Sequence, residues 1–359
     1  MSNSGQMSKP SVRDVFVDPD RVSTAREPIE INTRVCQRIA SLLRSRFIPV
    51  DREDSDLSGF SREQVGNFYL FLVSICHQTS PHGKPALEGL VEGVYKRGWD
   101  YLSAKLEATA RSSPELLTPI RWSGVTDTEL SCLFRDPQLG DRLTDPTNRA
   151  GLVRNLGQVM LSKRWRSAED IYRLSEGRVV DLTNLLAQFK AYRDPVKKKS
   201  YFFLSLMRNT GLWHYVDEDH LGPPVDYHEV RGHLRLGTVT VNDESLRQKL
   251  FKNLPVTSDE DIAIRQSVHD AIMLISELTE LRNPSQLHYL FWNVFRSCCS
   301  RDSQHCQGCP PDCTLPERYV HLAIHPDGQR RCPFSEICAS TCGTAHQKYY
   351  EHVFETDYY

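Results

Sequence analysis

The run TSDEDIAIRQSVHDAIMLISEL, residues 257–278, opens on the capping pattern Thr257-x-x-Glu260. It then places Ile264, Val268, Ala271, Ile275 and Leu278 at alternating spacings of four and three. That period puts the apolar side chains on one face of an α-helix, and a face of this length needs other helices to cover it. Asn283-Pro284 stops the pattern. A second core helix is expected from Ser285 to Cys298, with Leu287, Leu290, Phe291 and Val294 turned inward, and it delivers the chain to a dense run of cysteines.

Working outward, helical periodicity recurs. A helix is expected over Asn32 to Phe47, with Val35, Ile39, Leu42 and Leu43 on one face. A second follows the Ser61-x-x-Gln64 cap and carries Phe68, Leu72 and Ile75. Helical spacing continues over Pro85 to Leu106. The polar stretch Arg111 to Asn148 reads as connecting structure, and helices resume near Leu152. Lys197 to Leu212 is apolar after a basic start, and the breakers Leu221-Gly222-Pro223-Pro224 precede a helix from about Tyr227. Strand patterns are confined to Thr238 to Val241 and Tyr319 to Ile324. The expectation is therefore a mostly α protein: two packed helical lobes with a C-terminal cysteine-rich, metal-binding loop region. The divisions are a mobile N-terminal tail over 1–27, a first lobe over 28–150, a second over 151–297, the cysteine-rich region over 298–345 and a tail over 346–359.

Composition narrows the function class. Hydrophobic residues at 39% and charged residues at 25% are those of a globular protein, which argues against wholesale disorder. The longest apolar run, Phe68 to Cys76, is far short of the roughly 20 residues that span a bilayer. With no secretion or membrane signal in view, an intracellular protein of cytoplasm or nucleus is expected, with no membrane partner. Lysine and arginine number 44 against 46 acidic residues, so a nucleic-acid partner would have to be held by a local basic patch. The oligomeric state is left open.

Eight of the eleven cysteines fall between Cys298 and Cys342, whereas Cys36, Cys76 and Cys132 are scattered. Such clustering without an export signal points to metal and away from a disulfide framework. Cys299, Cys306 and Cys309 form C-x6-C-x2-C, and Cys332 and Cys338 form C-x5-C. Thiolates so spaced can wrap an iron-sulfur cubane, and these five are the expected ligands. Cys313, Cys342, His305, His321 and His346 leave donors for a tetrahedral zinc site instead, or in addition.

The segment Arg296-Ser297-Cys298-Cys299, followed by C-x6-C-x2-C and a later C-P-F-x-x-x-C, resembles the iron-sulfur loop of endonuclease-III-type DNA glycosylases, here interrupted between Cys309 and Cys332. Pro224-Val225-Asp226-Tyr227-His228 resembles the P-V-D-x-H segment of the helix-hairpin-helix glycosylases, above all the 8-oxoguanine enzymes. Asp194-Pro195-Val196-Lys197-Lys198-Lys199 is similar to the lysine-bearing segment of the archaeal 8-oxoguanine type. Cys76-His77-Gln78-Thr79-Ser80, Gly83-Lys84 and Gly98-Trp99 are similar to its early helices. The resemblance implies a 4Fe-4S cluster, a catalytic Asp226, a nucleophilic Lys199 and base-pocket roles for Gln78 and Trp99. One departure is plain: no G-V-G-type hairpin turn lies between Asp194 and Asp226.

The side chains suit that chemistry. Breaking an N-glycosidic bond develops positive charge on the sugar, which a carboxylate such as Asp226 stabilises. The same carboxylate can activate water or take the proton of an attacking lysine. Asp226-x-x-Glu229 is also a capping-box pattern, and the two roles are compatible. His228, Arg231 and Arg235 fall at i, i+3 and i+7, a face suited to phosphate or equally to solvent, with Tyr227 beside them. Three functions follow as expectations. The first is an N-glycosylase that excises a damaged or modified base from DNA, with or without lyase activity through a lysine Schiff base. The second is a glycosylase of a free modified nucleotide, loosely similar to the queuosine-salvage enzymes. The third is a non-catalytic iron-sulfur protein that binds nucleic acid.

Overall fold

The computed structural model describes residues 27–49, 57–79, 86–281, 283–343 and 346–359. Most of the expected tail over 1–27, and Ser80, Gly83 and Lys84, lie outside the described residues. Among those described, fifteen α-helices and two two-stranded antiparallel sheets make the chain mostly helical. No helix of the described residues is long and apolar enough to cross a membrane.

Capping chemistry starts the principal helices where the sequence placed them. Asn32 accepts from the Val35 N–H at the head of Thr33–Arg46, and reciprocal capping boxes open Arg62–Ser74 (Ser61/Gln64) and Ser258–Thr279 (Thr257/Glu260). Pro284 sits in the first turn of Pro284–Ser297, where its missing N–H costs nothing.

Three stretches differ from expectation. The region read as helix from Pro85 holds a hairpin, Glu88–Val91 paired with Val94–Arg97, before the helix Trp99–Ser112 begins. Glu92 and Gly93, at φ 50° and 80°, make a tight turn whose twist suits a two-residue hairpin. The supposed connection after Arg111 carries the short helices Pro119–Ser123 and Asp127–Leu133. Tyr319 to Ile324, read as a strand, is mostly the helix Glu317–Ala323, because Tyr319, Leu322 and Ala323 bury together at i, i+3 and i+4.

The buried apolar side chains form two cores. One runs from Val65 to Leu221; the other joins Cys36, Ile39, Ala40 and Leu43 to residues between Val225 and Tyr349. A division at residue 150 does not match either core. Thr33–Arg46 packs on Ser258–Thr279, and Ile29–Ile31 pairs with Val239–Val241, so the start of the described chain belongs with its later part. Helix Pro146–Lys163 belongs to the first core, where Gly157 lets the backbone of Ser123 approach so closely that a Cβ would stand 2.3 Å from its nitrogen.

The two cores meet at a buried charge cluster. The Arg265 guanidinium, wholly buried, donates to both Asp194 oxygens at 2.8 and 2.9 Å and to Asp261, one turn away on its own helix, at 2.9 to 3.1 Å. Asp194 in turn accepts from the Val196 and Lys198 N–H groups and so fixes the entry to helix Lys198–Asn209. Asp261 also meets His352 at 2.7 Å and accepts from the Tyr359 hydroxyl at 2.6 Å. The stretch expected as a tail over 346–359 thus reaches this cluster, with Glu351, His352 and Tyr359 buried.

Burial alone would raise the Asp261 carboxyl, but its bonds to His352 and Arg265 outweigh this and hold it at about 2, against the usual 3.8. A depressed carboxyl lends stability that is complete above about pH 4 and lost as pH falls toward its folded value. We therefore expect the acid limb of a Tm-versus-pH curve to flatten in Asp261→Asn; an unchanged limb would contradict the account. Arg265→Met leaves two buried carboxylates without their partner and should cost about 3–5 kcal/mol in urea unfolding. A loss under about 1 kcal/mol would show that the cluster is not a structural bridge.

Candidate functional site

Residues Leu221 to Val225 are buried and contain Pro223 and Pro224, which cannot continue a helix, so the chain turns before restarting at Tyr227. Asp226 caps the new helix, Tyr227–Leu236. Its Oδ1 accepts from the N–H groups of His228 (2.7 Å) and Glu229 (3.4 Å), while the Glu229 carboxylate accepts from the Asp226 N–H at 3.2 Å. The second oxygen, Oδ2, accepts from the Trp292 indole at 3.0 Å. Both carboxylate oxygens are therefore held in place while the half-buried side chain borders a cavity of about 470 Å³.

The walls of this cavity come from both cores and from the cysteine loop. Gln78 and Trp99 line it with Asp226, Tyr227 and His228, so five of the residues singled out in the sequence share one chamber. Trp99 packs edge-on against Phe202 with ring centroids 4.7 Å apart. Gln78 is held in the left-handed region at φ 45°, and its N–H donates to the Tyr359 carbonyl at 3.1 Å. Tyr359 also lines the cavity. Arg231 donates to Nδ1 of His228 at 3.0 Å, which leaves the proton of a neutral ring on Nε2. The ring is kept neutral by burial, reinforced by Arg231, which together push its pKa well down.

Three expected residues are placed elsewhere. Lys199 is wholly buried behind the chamber, where Nζ donates to the Ser74 carbonyl at 2.5 Å and meets His77 Nδ1 at 3.3 Å. Burial lowers its pKa to about 7, with Cys76 opposing and Lys198 and Arg149 assisting. The lysine that lines the cavity is Lys198, with Nζ 3.8 Å from the Cys76 sulfur and 5.1 Å from the centre of the Phe202 ring. Arg231 and Arg235 do not form a phosphate-facing pair: each is 2% exposed. Arg231 donates to the Cys299 carbonyl and to Glu351; Arg235 donates to the carbonyls of Tyr349, Ser300 and Arg301 and to the Cys299 sulfur. The helix after Asp226 thus grips the cysteine loop, and Ser300, Asp302 and Thr314 of that loop complete the cavity wall.

Trp292 and the pair Glu229/His288 were not anticipated. Glu229 Oε1 lies 2.7 Å from His288 Nδ1, and burial, with Asp226 nearby, pushes its carboxyl well above the usual range. A signal existed in the sequence, since His288, Trp292 and Arg296 follow one another at i, i+4 and i+8 along one face of the helix, and all three line the cavity.

The cysteine loop can hold metal. The sulfurs of Cys298, Cys309 and Cys313 all lie within 4.8 Å of one another. The Cys298 thiol is hydrogen-bonded to Cys332 as well as to Cys309 and Cys313. Cys299, Cys306 and Cys338 lie near one another beside Arg235, which donates to the Cys299 sulfur at 3.5 Å and whose carbonyl accepts from Cys338 at 3.4 Å. Of the expected five, Cys309 and Cys332 bond Cys298, and Cys332 also stands near Cys299. Of the histidines considered, His321 bonds the Arg46 carbonyl, His346 the Leu234 carbonyl and His305 the Ser303 hydroxyl.

No protein-family model matches the chain, and no curated protein is significantly similar to it. Arg235→Ala removes a buried cation that holds two carbonyls of the cysteine loop and that of Tyr349. With charged hydrogen bonds contributing about 1.5–3 kcal/mol each, a loss of at least about 3 kcal/mol and a lower metal content are expected. If Arg235 were instead a phosphate contact, the variant would keep its stability and show a shallower salt dependence of nucleic-acid binding.

Proposed function

We propose that the chain is an N-glycosylase that takes a modified base into the chamber between two helical lobes and cleaves its bond to the sugar beside Asp226. The observation that carries this reading is the convergence of Asp226, Lys198, Gln78 and Trp99 on one cavity, of a size typical for a small ligand. Trp99 offers a flat apolar face for a base and Gln78 a donor and acceptor for its edge. Arg97 and Arg296 on the cavity's lining are cations suited to flanking phosphates.

In this mechanism the base departs with the bonding electron pair, and Asp226 stabilises the positive charge left on the sugar carbon. Its two oxygens, already fixed by the helix N–H groups and the Trp292 indole, need little rearrangement as that charge develops. Where lyase chemistry follows, the Lys198 amine forms the new C–N bond to the same carbon and gives up a proton, for which Asp226 is the acceptor. Lys199, expected as the nucleophile in the resemblance, serves here to pack the Ser74 carbonyl and His77 behind the chamber.

The cysteine loop carries a 4Fe-4S cluster on Cys299, Cys306 and Cys338, with Cys342 the remaining cysteine of the stretch as the fourth ligand. The support is spacing and proximity: Cys299, Cys306 and Cys338 lie near one another, and Cys299-x6-Cys306 and the later Cys338 match the two ends of the endonuclease-III-type pattern. The cluster is structural in this reading, fastening the loop that closes the chamber.

Near-balanced charge and the missing hairpin turn favour a substrate with few phosphates as the second reading, a free modified nucleotide. The test is release of base, read by mass spectrometry, from a panel of modified-base oligonucleotides and free modified nucleotides. Asp226→Asn is expected to lower release at least a hundredfold with metal content unchanged; full activity in that variant would overturn the assignment. Reduction with borohydride during turnover should trap a covalent adduct in the parent and in Lys199→Ala but not in Lys198→Ala. The reverse pattern would return the nucleophile to Lys199, and absence of an adduct with normal release would make the enzyme monofunctional.

A further inference from the structure

The pair Cys298-Cys299 lies where helix Pro284–Ser297 ends, and its two side chains serve different groups of thiols. The Cys298 thiol is hydrogen-bonded to Cys309, Cys313 and Cys332, whereas the Cys299 sulfur accepts from Arg235 at 3.5 Å and lies near Cys306 and Cys338, with Cys332 also in its vicinity. The backbone brings the first group together. The Cys309 N–H donates to the Arg330 carbonyl at 2.9 Å, a turn bonds the Cys313 N–H to the Pro310 carbonyl, and the Arg331 N–H donates to the Ala323 carbonyl, seating the 330–332 segment against the 309–313 loop. Cys298 and Cys332 are buried, and Arg330 stands beside the thiols as a compensating cation.

Size separates the two groups. Four thiolates around one zinc ion at about 2.3 Å stand about 3.8 Å apart, while the corner thiolates of a cubane sit on separate irons and are spread wider. Among the described residues, the one group of candidate ligands with every pair of donor atoms within 4.8 Å is Cys298, Cys309 and Cys313; Cys332 joins it through its hydrogen bond to Cys298. We infer that Cys298, Cys309, Cys313 and Cys332 bind a single zinc ion in a closed tetrahedral site, separate from the centre held by Cys299, Cys306 and Cys338. Four protein ligands leave no open position for substrate, so the zinc is a staple between the end of the Pro284–Ser297 helix and the loop. This assignment rests on the thiol grouping and not on the glycosylase reading.

The experiment is metal analysis of the full chain purified anaerobically from medium supplying both iron and zinc, with X-ray absorption at the zinc edge of the unaltered protein. One zinc per chain with four sulfur neighbours at about 2.3 Å is expected. Zinc with fewer than four sulfurs, or no zinc at all, overturns the inference. Cys309→Ser with Cys313→Ser should lose the zinc and keep iron and its visible absorption, whereas Cys306→Ser should lose iron and keep the zinc. Loss of both metals in each folded variant would show one shared centre and overturn it. Two zinc ions and no iron would support the inference while removing the iron-sulfur assignment.

Discussion

The buried junction at Arg265 governs how the two cores face each other. One guanidinium, cut off from water, must find acceptors for its N–H groups, and it finds them on Asp194 and Asp261. An unpaired charge at this depth is so unfavourable that the three side chains act as one unit. Asp194 sets the entry of the lysine-bearing helix; Asp261 belongs to the long helix of the other core and takes in Tyr359, whose carbonyl holds Gln78. Lys198, Gln78 and Tyr359 therefore reach the chamber from segments far apart in sequence because they hang from the same ionic knot. Asp226 arrives from the opposite side, already oriented by its own cap.

Capping made much of this legible beforehand. Ser61/Gln64, Thr257/Glu260 and Asp226/Glu229 are local patterns whose partners lie three residues away, so the sequence alone contains both halves of each interaction. The hairpin at Glu88–Arg97 was hidden because Glu92-Gly93 is a weaker turn signal than Asn-Gly or Asp-Gly. The short helix Glu317–Ala323 was hidden because a seven-residue apolar pattern fits either period.

The site was legible in its residue types more than in their directions. Gln78, Trp99, Tyr227, His228 and Asp226 share the chamber. In the run Lys197-Lys198-Lys199 the first residue sits in the left-handed region before the helix and the other two are about 100° apart around it, so which amine reaches the cavity depends on packing that no local pattern reports. The i, i+3, i+7 face of His228, Arg231 and Arg235 is real, but only tertiary structure shows that it meets loop carbonyls instead of solvent. The cysteine spacing likewise displays donors without saying which share an ion: the Cys298 sulfur lies within 4.8 Å of those of Cys309 and Cys313, while that of the adjacent Cys299 accepts from Arg235.

The segment 351–359 is tied to the rest of the chain by contacts of long sequence separation. Its bonds reach back to Gln78, Asn148 and Asp261, crossing from 91 to more than 200 residues of intervening chain. Contacts of such separation close the largest loops and tend to form after local helices have docked. A chain with both cores assembled but this segment undocked would hold Asp226 in its cap and leave the chamber open along the Tyr359 side. Completion of the pocket along the Tyr359 side therefore waits on the contacts of longest sequence separation, after the helices that carry Asp226 and Lys198 have formed.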